Sequence, residues 1–213
     1  MSTTFVDAFG AVGPAQVGDG SIAPVRLDNT GNMVLHTTHG QYFEAAGRGG
    51  MFVASQAVGG VAPGTALADA PALALWNPPG SGVLCVIQQV WVGYVSGTLG
   101  AGTLVHAVNP SQRTAPTGGT EITPTGAFLG VMRSKTRAYT ASTVSATLVI
   151  LRASLHLGAA LASTATFPAV AYDEVNGSIV IPPAAVWAYH GVAAAGSTPL
   201  TIMSVLFEEI PIV

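Results

Sequence analysis

The stretch Gly82-Val83-Leu84-Cys85-Val86-Ile87-Gln88-Gln89-Val90-Trp91-Val92-Gly93-Tyr94-Val95 carries no charge and is dominated by β-branched and aromatic residues. Turn chemistry brackets it, Asn77-Pro78-Pro79-Gly80-Ser81 before and Ser96-Gly97-Thr98 after. Such a run reads as one long strand. Successive strand side chains face opposite ways. Val83, Cys85, Ile87 and Trp91 therefore share one face, and Leu84, Val86, Val90, Val92 and Tyr94 the other. Both sets are apolar, whereas a half-exposed strand alternates apolar with polar. The strand is expected to be central and covered on both sides, with Val83, Cys85, Ile87 and Trp91 in the core. Gln88 and Gln89 interrupt the run, and buried amides need partners. At least one is expected to bond across a strand or subunit boundary.

What covers the second face is a question of surface. Only 8% of the 213 residues are charged and 49% are hydrophobic, against about 25% charged in ordinary soluble domains. Between Gly49 and Gln112 the sole charge is Asp69. A surface so poor in charge promotes association, so much of it is expected to be buried against other copies of the chain. The candidate subunit-interface residues are Gln88, Gln89, Tyr94, Trp187, Tyr189, Arg26, Tyr42 and Phe43. The net charge of −3 and a single basic cluster, Arg133, Lys135 and Arg137, argue against a nucleic-acid partner. No apolar run reaches the ~18 residues that span a bilayer, and no membrane is expected. Cys85 is the only cysteine, which leaves a buried free thiol and no internal disulfide. Met1-Ser2-Thr3-Thr4-Phe5 lacks the basic start and apolar core of a secretory signal, which predicts folding in a cytoplasm.

Residues 1–50 are rich in glycine and poor in apolar surface. They read as an extended arm that orders against something else. A β-hairpin is expected near 25–36, where Pro24-Val25-Arg26-Leu27 and Met33-Val34-Leu35-His36 flank Asp28-Asn29-Thr30-Gly31-Asn32. From Met51 onward, short strand candidates alternate with Gly/Pro-rich turns and almost no helical period. In Val144–Leu157 the apolar phase flips at Ile150-Leu151, which signals a β-bulge. Asn176-Gly177 reads as a hairpin turn before Ser178–Ile181. Ala185–Val192 places Trp187 and Tyr189 on one face and Val186, Ala188 and His190 on the other. Strands at this spacing, with long connections late in the chain, predict an all-β jelly-roll-like antiparallel sandwich of about eight strands over 51–213. An immunoglobulin-like sandwich is the second architecture, without the Cys…Trp…Cys spacing of true immunoglobulin domains.

No catalytic constellation survives inspection, and neither an enzyme nor a cofactor is expected. His36 and His39 stand three apart with Glu44 nearby, but lack the further ligands of a metal site. No nucleophile elbow, Walker loop or dinucleotide fingerprint occurs. The pairs Glu208-Glu209 and Asp173-Glu174 are adjacent, so strand alternation parts their carboxylates. Trp76, Trp91, Tyr94, Trp187 and Tyr189 fit a core or subunit interface, or the lining of a carbohydrate groove.

Several segments carry a resemblance. They are His39-Gly40-Gln41-Tyr42-Phe43-Glu44-Ala45-Ala46 with Gly49-Gly50-Met51-Phe52; Ala74-Leu75-Trp76-Asn77-Pro78-Pro79-Gly80-Ser81-Gly82; Gly93-Tyr94-Val95-Ser96-Gly97-Thr98-Leu99-Gly100; and Gly191-Val192-Ala193-Ala194-Ala195-Gly196 leading to Glu208-Glu209-Ile210-Pro211. Together they resemble a family of small β-rich, virion-associated proteins of tailed bacteriophages. The resemblance implies a fold and a virion setting, and no chemical site. It leads to the expectation of a capsid decoration (cement) protein, assembled in the host cytoplasm, trimeric, and bound to the major capsid protein. The alternatives are a tail, fibre or vertex-spike module that holds a host surface glycan, and a minor capsid or vertex protein at pentameric positions.

Overall fold

A computed structural model of the protein describes residues 40–67, 70–129, 133–144, 148–156, 171–192 and 196–212. The expected hairpin near 25–36, Arg26, His36 and His39 lie outside the described residues.

From Tyr42 onward the described residues form one compact unit. It opens with a short helix, α1 (Phe43–Gly47), and continues as eleven strands: β1 (Met51–Ser55), β2 (Leu73–Asn77), β3 (Val83–Ser96), β4 (Thr103–Asn109), β5 (Thr120–Ile122), β6 (Thr125–Gly126), β7 (Arg137–Thr140), β8 (Val149–His156), β9 (Ala171–Ile181), β10 (Ala185–Val192) and β11 (Leu200–Pro211). They make two antiparallel sheets, ordered β6-β1-β11-β3-β9 and β5-β7-β2-β10-β4-β8. The fold is the expected all-β sandwich. Its pairing is nested: β1 lies beside β11, β2 beside β10, β3 beside β9 and β4 beside β8. This is the jelly-roll order, in which a long antiparallel pair is rolled into two sheets. The three short strands β5, β6 and β7 come from the connection between β4 and β8 and extend both sheets on the β1/β2 side. Ala127–Arg133 is a strand candidate by sequence, yet residues 127–129 are not a strand, and β7 begins instead at Arg137.

The core lies between the sheets. Phe52, Leu73, Leu75, Cys85, Ile87, Val90, Val92, Leu104, Trp187, Tyr189, Met203, Val205 and Phe207 are buried together there. Two expectations need correcting. Trp187 and Tyr189 are not at a subunit interface. Both are fully buried, because β10 is central in its sheet and directs them inward, where their rings stack 5.9 Å apart. Trp91 is not in the core but half-buried on the outer face of β3. The cause is a bulge at Gln88. On β11, Phe207 faces Ile87 and Leu206 faces Gln89, so Gln88 has no opposite residue. One extra residue reverses the alternation. Cys85 and Ile87 point into the core before the bulge, with Val83 buried on the same face, and Val90 and Val92 do so after it. Gln89 and Trp91 are turned outward.

The same bulge runs through β9. There Ile179 faces Ile87 and Glu174 faces Gln89, so the residues between them bow away from the ladder. Asn176 and Gly177 take left-handed φ values of 47° and 76° within this excursion. The expected turn is thus a kink inside one strand. The Ile150-Leu151 phase flip does correspond to a bulge. His106 faces Arg152 and Ala107 faces Ile150, which leaves Leu151 as the extra residue of β8.

Coverage on both faces belongs to the second sheet rather than to β3. The strands β2 and β10 are buried almost throughout. Their outer side packs Ala74, Trp76, Val186 and Ala188 under Tyr139, Val144, Leu148, Leu67 and Ala115, supplied by the chain's own loops and β7. Trp76 Nε1–H donates to the Gln112 carbonyl at 2.8 Å. His190 joins the 66–72 segment to this face: its Nδ1 accepts the Ala72 N–H at 3.1 Å, so its Nε2–H donates to the Ala66 carbonyl at 2.6 Å. The outer face of β3 is covered only in part, and Leu84, Trp91 and Tyr94 remain half-buried.

Candidate functional site

The two long sides of the sandwich differ. One ends in β5 and β6, three and two residues long. Short edge strands are how sandwiches blunt an unpaired ladder. The other ends in β8 and β9, eight and eleven residues long. Among the described residues each pairs on one side only, β8 with β4 and β9 with β3. Here the local sequence is unusual. Val149, Ile150 and Leu151 are consecutive in β8, and all are exposed, by 61%, 47% and 52%. Strand alternation would bury every second one against a further layer. The bulge at Leu151 and the edge position leave all three open. Val180 of β9 is also exposed. Between the edges lies an open cleft of about 300 Å³, lined by Val108, Leu151, Ile179, Val180, Ile181 and Val186.

Beside the cleft a polar cluster bridges the sheets. Asp173 on β9 is the centre. Its Oδ1 accepts from Arg152 Nη2 at 3.0 Å, and its Oδ2 accepts from Ser154 Oγ and from His106 Nε2, the last at 2.9 Å. Trp187 Nε1–H donates to His106 Nδ1 at 3.1 Å. That bond fixes the tautomer: Nδ1 carries the lone pair and Nε2 the proton. Ser154 commits its proton to Asp173, so the Tyr189 hydroxyl donates to Ser154 Oγ at 2.8 Å. Burial pushes the His106 imidazole pKa down, outweighing the pull of the Asp173 carboxylate in the other direction. Burial pushes Asp173 up, but the bonds from Ser154 and His106 and the charge of Arg152 together hold it below the usual carboxylate range. His106 is thus neutral and Asp173 ionised at neutral pH. A serine, a histidine and an aspartate meet here, yet not as a nucleophile and base. The serine bonds the aspartate, and the imidazole lone pair is already occupied by Trp187. As built, the cluster is a satisfied clasp between β4, β8 and β10 of one sheet and β9 of the other.

The expected interface residues do not form one patch. Gln88 reaches across the ladder, Nε2 donating to Glu208 Oε2 at 3.3 Å. Gln89 stands opposite Glu174 on the outer face. The Tyr94 hydroxyl donates to the Gly97 carbonyl at the strand's end. The Tyr42 hydroxyl donates to Asn176 Oδ1 at 3.3 Å, and Phe43 is exposed at the start of α1. Of the five aromatics considered for a carbohydrate groove, Trp76, Trp187 and Tyr189 are interior. Trp91 instead stands beside Tyr172, which sequence reading passed over. One outer row runs Ser55, Ser204, Trp91, Tyr172 across four strands.

A second cavity, about 470 Å³, opens near α1, with Arg48, Arg133 and Lys135 facing Glu208 and Glu209. Glu209 is held by Ser134 Oγ at 2.7 Å and by the backbone N–H groups of Lys135 and Thr136 at 3.2 and 2.7 Å. Among the described residues no group of three or more His, Cys, Asp and Glu is placed to hold a metal ion, and no helix is long and apolar enough to cross a membrane. No family model, curated protein or solved structure matches this chain.

Proposed function

We propose that the protein is a structural component of a tailed-bacteriophage virion, a capsid decoration protein that assembles as a trimer on the head lattice and reinforces it. The observation that carries this reading is the unblunted β8/β9 side, with its consecutive exposed Val149, Ile150 and Leu151. A sandwich that functioned alone would be expected to cover or charge such an edge. The low charge and the resemblance in the strand-end motifs support the same reading. Its action is mechanical: each added subunit contributes buried area at a lattice axis and stabilises the shell by mass action. The test is a density map of the intact particle, together with binding of the purified protein to expanded heads. Density on the head lattice at local three-fold axes is expected. Absence from the particle, or failure to bind heads, removes the proposal.

The Trp91–Tyr172 pair favours a second reading, a spike or fibre module that holds a host glycan. Two aromatic residues opposite each other on an outer face could stack a sugar ring, and Gln89, Glu174 and Ser204 adjoin them in register. A glycan array probed with the wild type and with Tyr172→Ala separates the readings. Specific binding lost in the variant supports the glycan module, and no binding by the wild type rejects it.

A further inference from the structure

We infer that the β8/β9 side of the sandwich is the surface through which one copy of this chain binds another. The inference rests on the oligomeric reading above and gives it an address. Three observations select a second copy as the occupant.

The first is backbone chemistry. Among the described residues, the outward edges of β8 and β9, strands of eight and eleven residues, have no strand paired to them. Backbone N–H and C=O groups on such an edge are satisfied by another strand or by water, and a second copy brings a strand edge of the same kind. The second is area. Val149, Ile150, Leu151 and Val180 are each about half exposed, which amounts to roughly 350 Å² of side-chain surface, over two-fifths of the ~800 Å² that one partner gives to a standard interface.

The third is charge. Every copy carries the same net charge of −3, so a surface that adds unpaired charge would oppose contact with another copy. On this side Arg152 and Asp173 are paired with each other at 3.0 Å, and the apolar residues flank them. The outer face of β3, β9 and β11 carries Glu174 and Glu208, and the second cavity is lined by five charged residues, Arg48, Arg133, Lys135, Glu208 and Glu209. The exposed part of β8 is apolar and its one arginine is paired, which suits contact with another copy.

The experiment uses the full chain. Light scattering coupled to gel filtration gives the mass of the wild type, of Val149→Lys/Leu151→Lys, of Val180→Lys and of Trp91→Lys, with circular dichroism as the check on folding. The positions are exposed or half-buried, so the substitutions do not enter the core. The wild type is expected above the 21.4 kDa of one chain. Val149→Lys/Leu151→Lys is expected at that single-chain mass with an unchanged spectrum, and Val180→Lys shifted toward it. Trp91→Lys, on the outer face, is expected at the wild-type mass. Should the double variant not fold, Val180→Lys and amide exchange on β8 in the wild type decide, since the interface predicts slow exchange there. A wild type that stays oligomeric while both edge variants keep its mass overturns the inference and leaves the oligomeric reading standing. A wild type that is monomeric at every concentration overturns both.

Discussion

Deleting Gln88 tests whether it is the extra residue of β3. Without it Ile87 and Gln89 become neighbours, and their partners Phe207 and Leu206 on β11 already are. The ladder then closes with regular alternation, and Cys85, Ile87, Val90 and Val92 all stay inward. The loss should be close to that of Gln88→Ala, which removes only the bond to Glu208 and should cost at most about 1.5 kcal/mol. Deleting Val86 instead leaves one residue too few before the bulge. Either Val83 and Cys85 turn outward or the bulge closes and Ile87 does, and exposing one such buried side chain costs about 1.5–3 kcal/mol. Removing the buried Val86 side chain adds a similar amount, so the loss is about 3–6 kcal/mol, against a total stability of about 5–15 kcal/mol. Urea unfolding followed by tryptophan fluorescence measures the three variants, with the slope checked for two-state behaviour. A Gln88 deletion as destabilising as the Val86 deletion would show that Gln88 is not the extra residue, and the account of the core would be wrong.

Trp187→Ala should cost about 3–5 kcal/mol, because the ring is fully buried and bonds His106, whereas Trp91→Ala should cost roughly 1–2 kcal/mol. Equal losses in chemical denaturation would contradict the inward and outward assignments. Thermal stability should be highest above the ordinary histidine pKa of about 6.5 and fall as the pH drops below it. His106 and His190 have folded-state pKa values lowered by burial, so the unfolded chain binds protons that the folded one does not. A melting temperature that rose between pH 7 and pH 5 would refute this. Gly191→Ala should destabilise strongly or prevent folding, since an added Cβ would lie 2.6 Å from the Gly64 carbonyl oxygen and 2.8 Å from that of Pro63. A variant that melted like the wild type would show that this loop moves aside freely.

How much of this was legible in the sequence depended on contrast. The bulge in β8 was visible because apolar and polar positions exchange phase at Ile150-Leu151. The one in β3 was not, because residues on both faces are apolar and a slip leaves no mark in the pattern. Only the two glutamines hinted at it. Asn176-Gly177 signalled left-handed backbone correctly, but such a pair serves a kink within β9 as well as a turn between strands. The sandwich class and the eight longer strands followed from turn spacing, whereas β5, β6 and β7 did not. The layer over β2 and β10 did not, since it is built by loops with no period of their own. The Asp173 clasp was hidden for another reason. His106 and Asp173 are far apart in sequence, and nothing local to a lone strand histidine announces a partner on the opposite sheet.

The nested pairing has a consequence for how the chain reaches this state. Among the described strands the neighbours of β3 are β9 and β11, both made long after it. Contacts between residues so distant in sequence close large loops, which makes folding slow. On the ribosome, β3, the longest of the described strands, emerges long before either neighbour is made. During that interval it is exposed to other nascent chains, the circumstance in which β proteins aggregate or need a chaperone. The yield of folded protein is thus expected to depend on the time that β3 spends alone, and slower elongation after Ser96 should lower it.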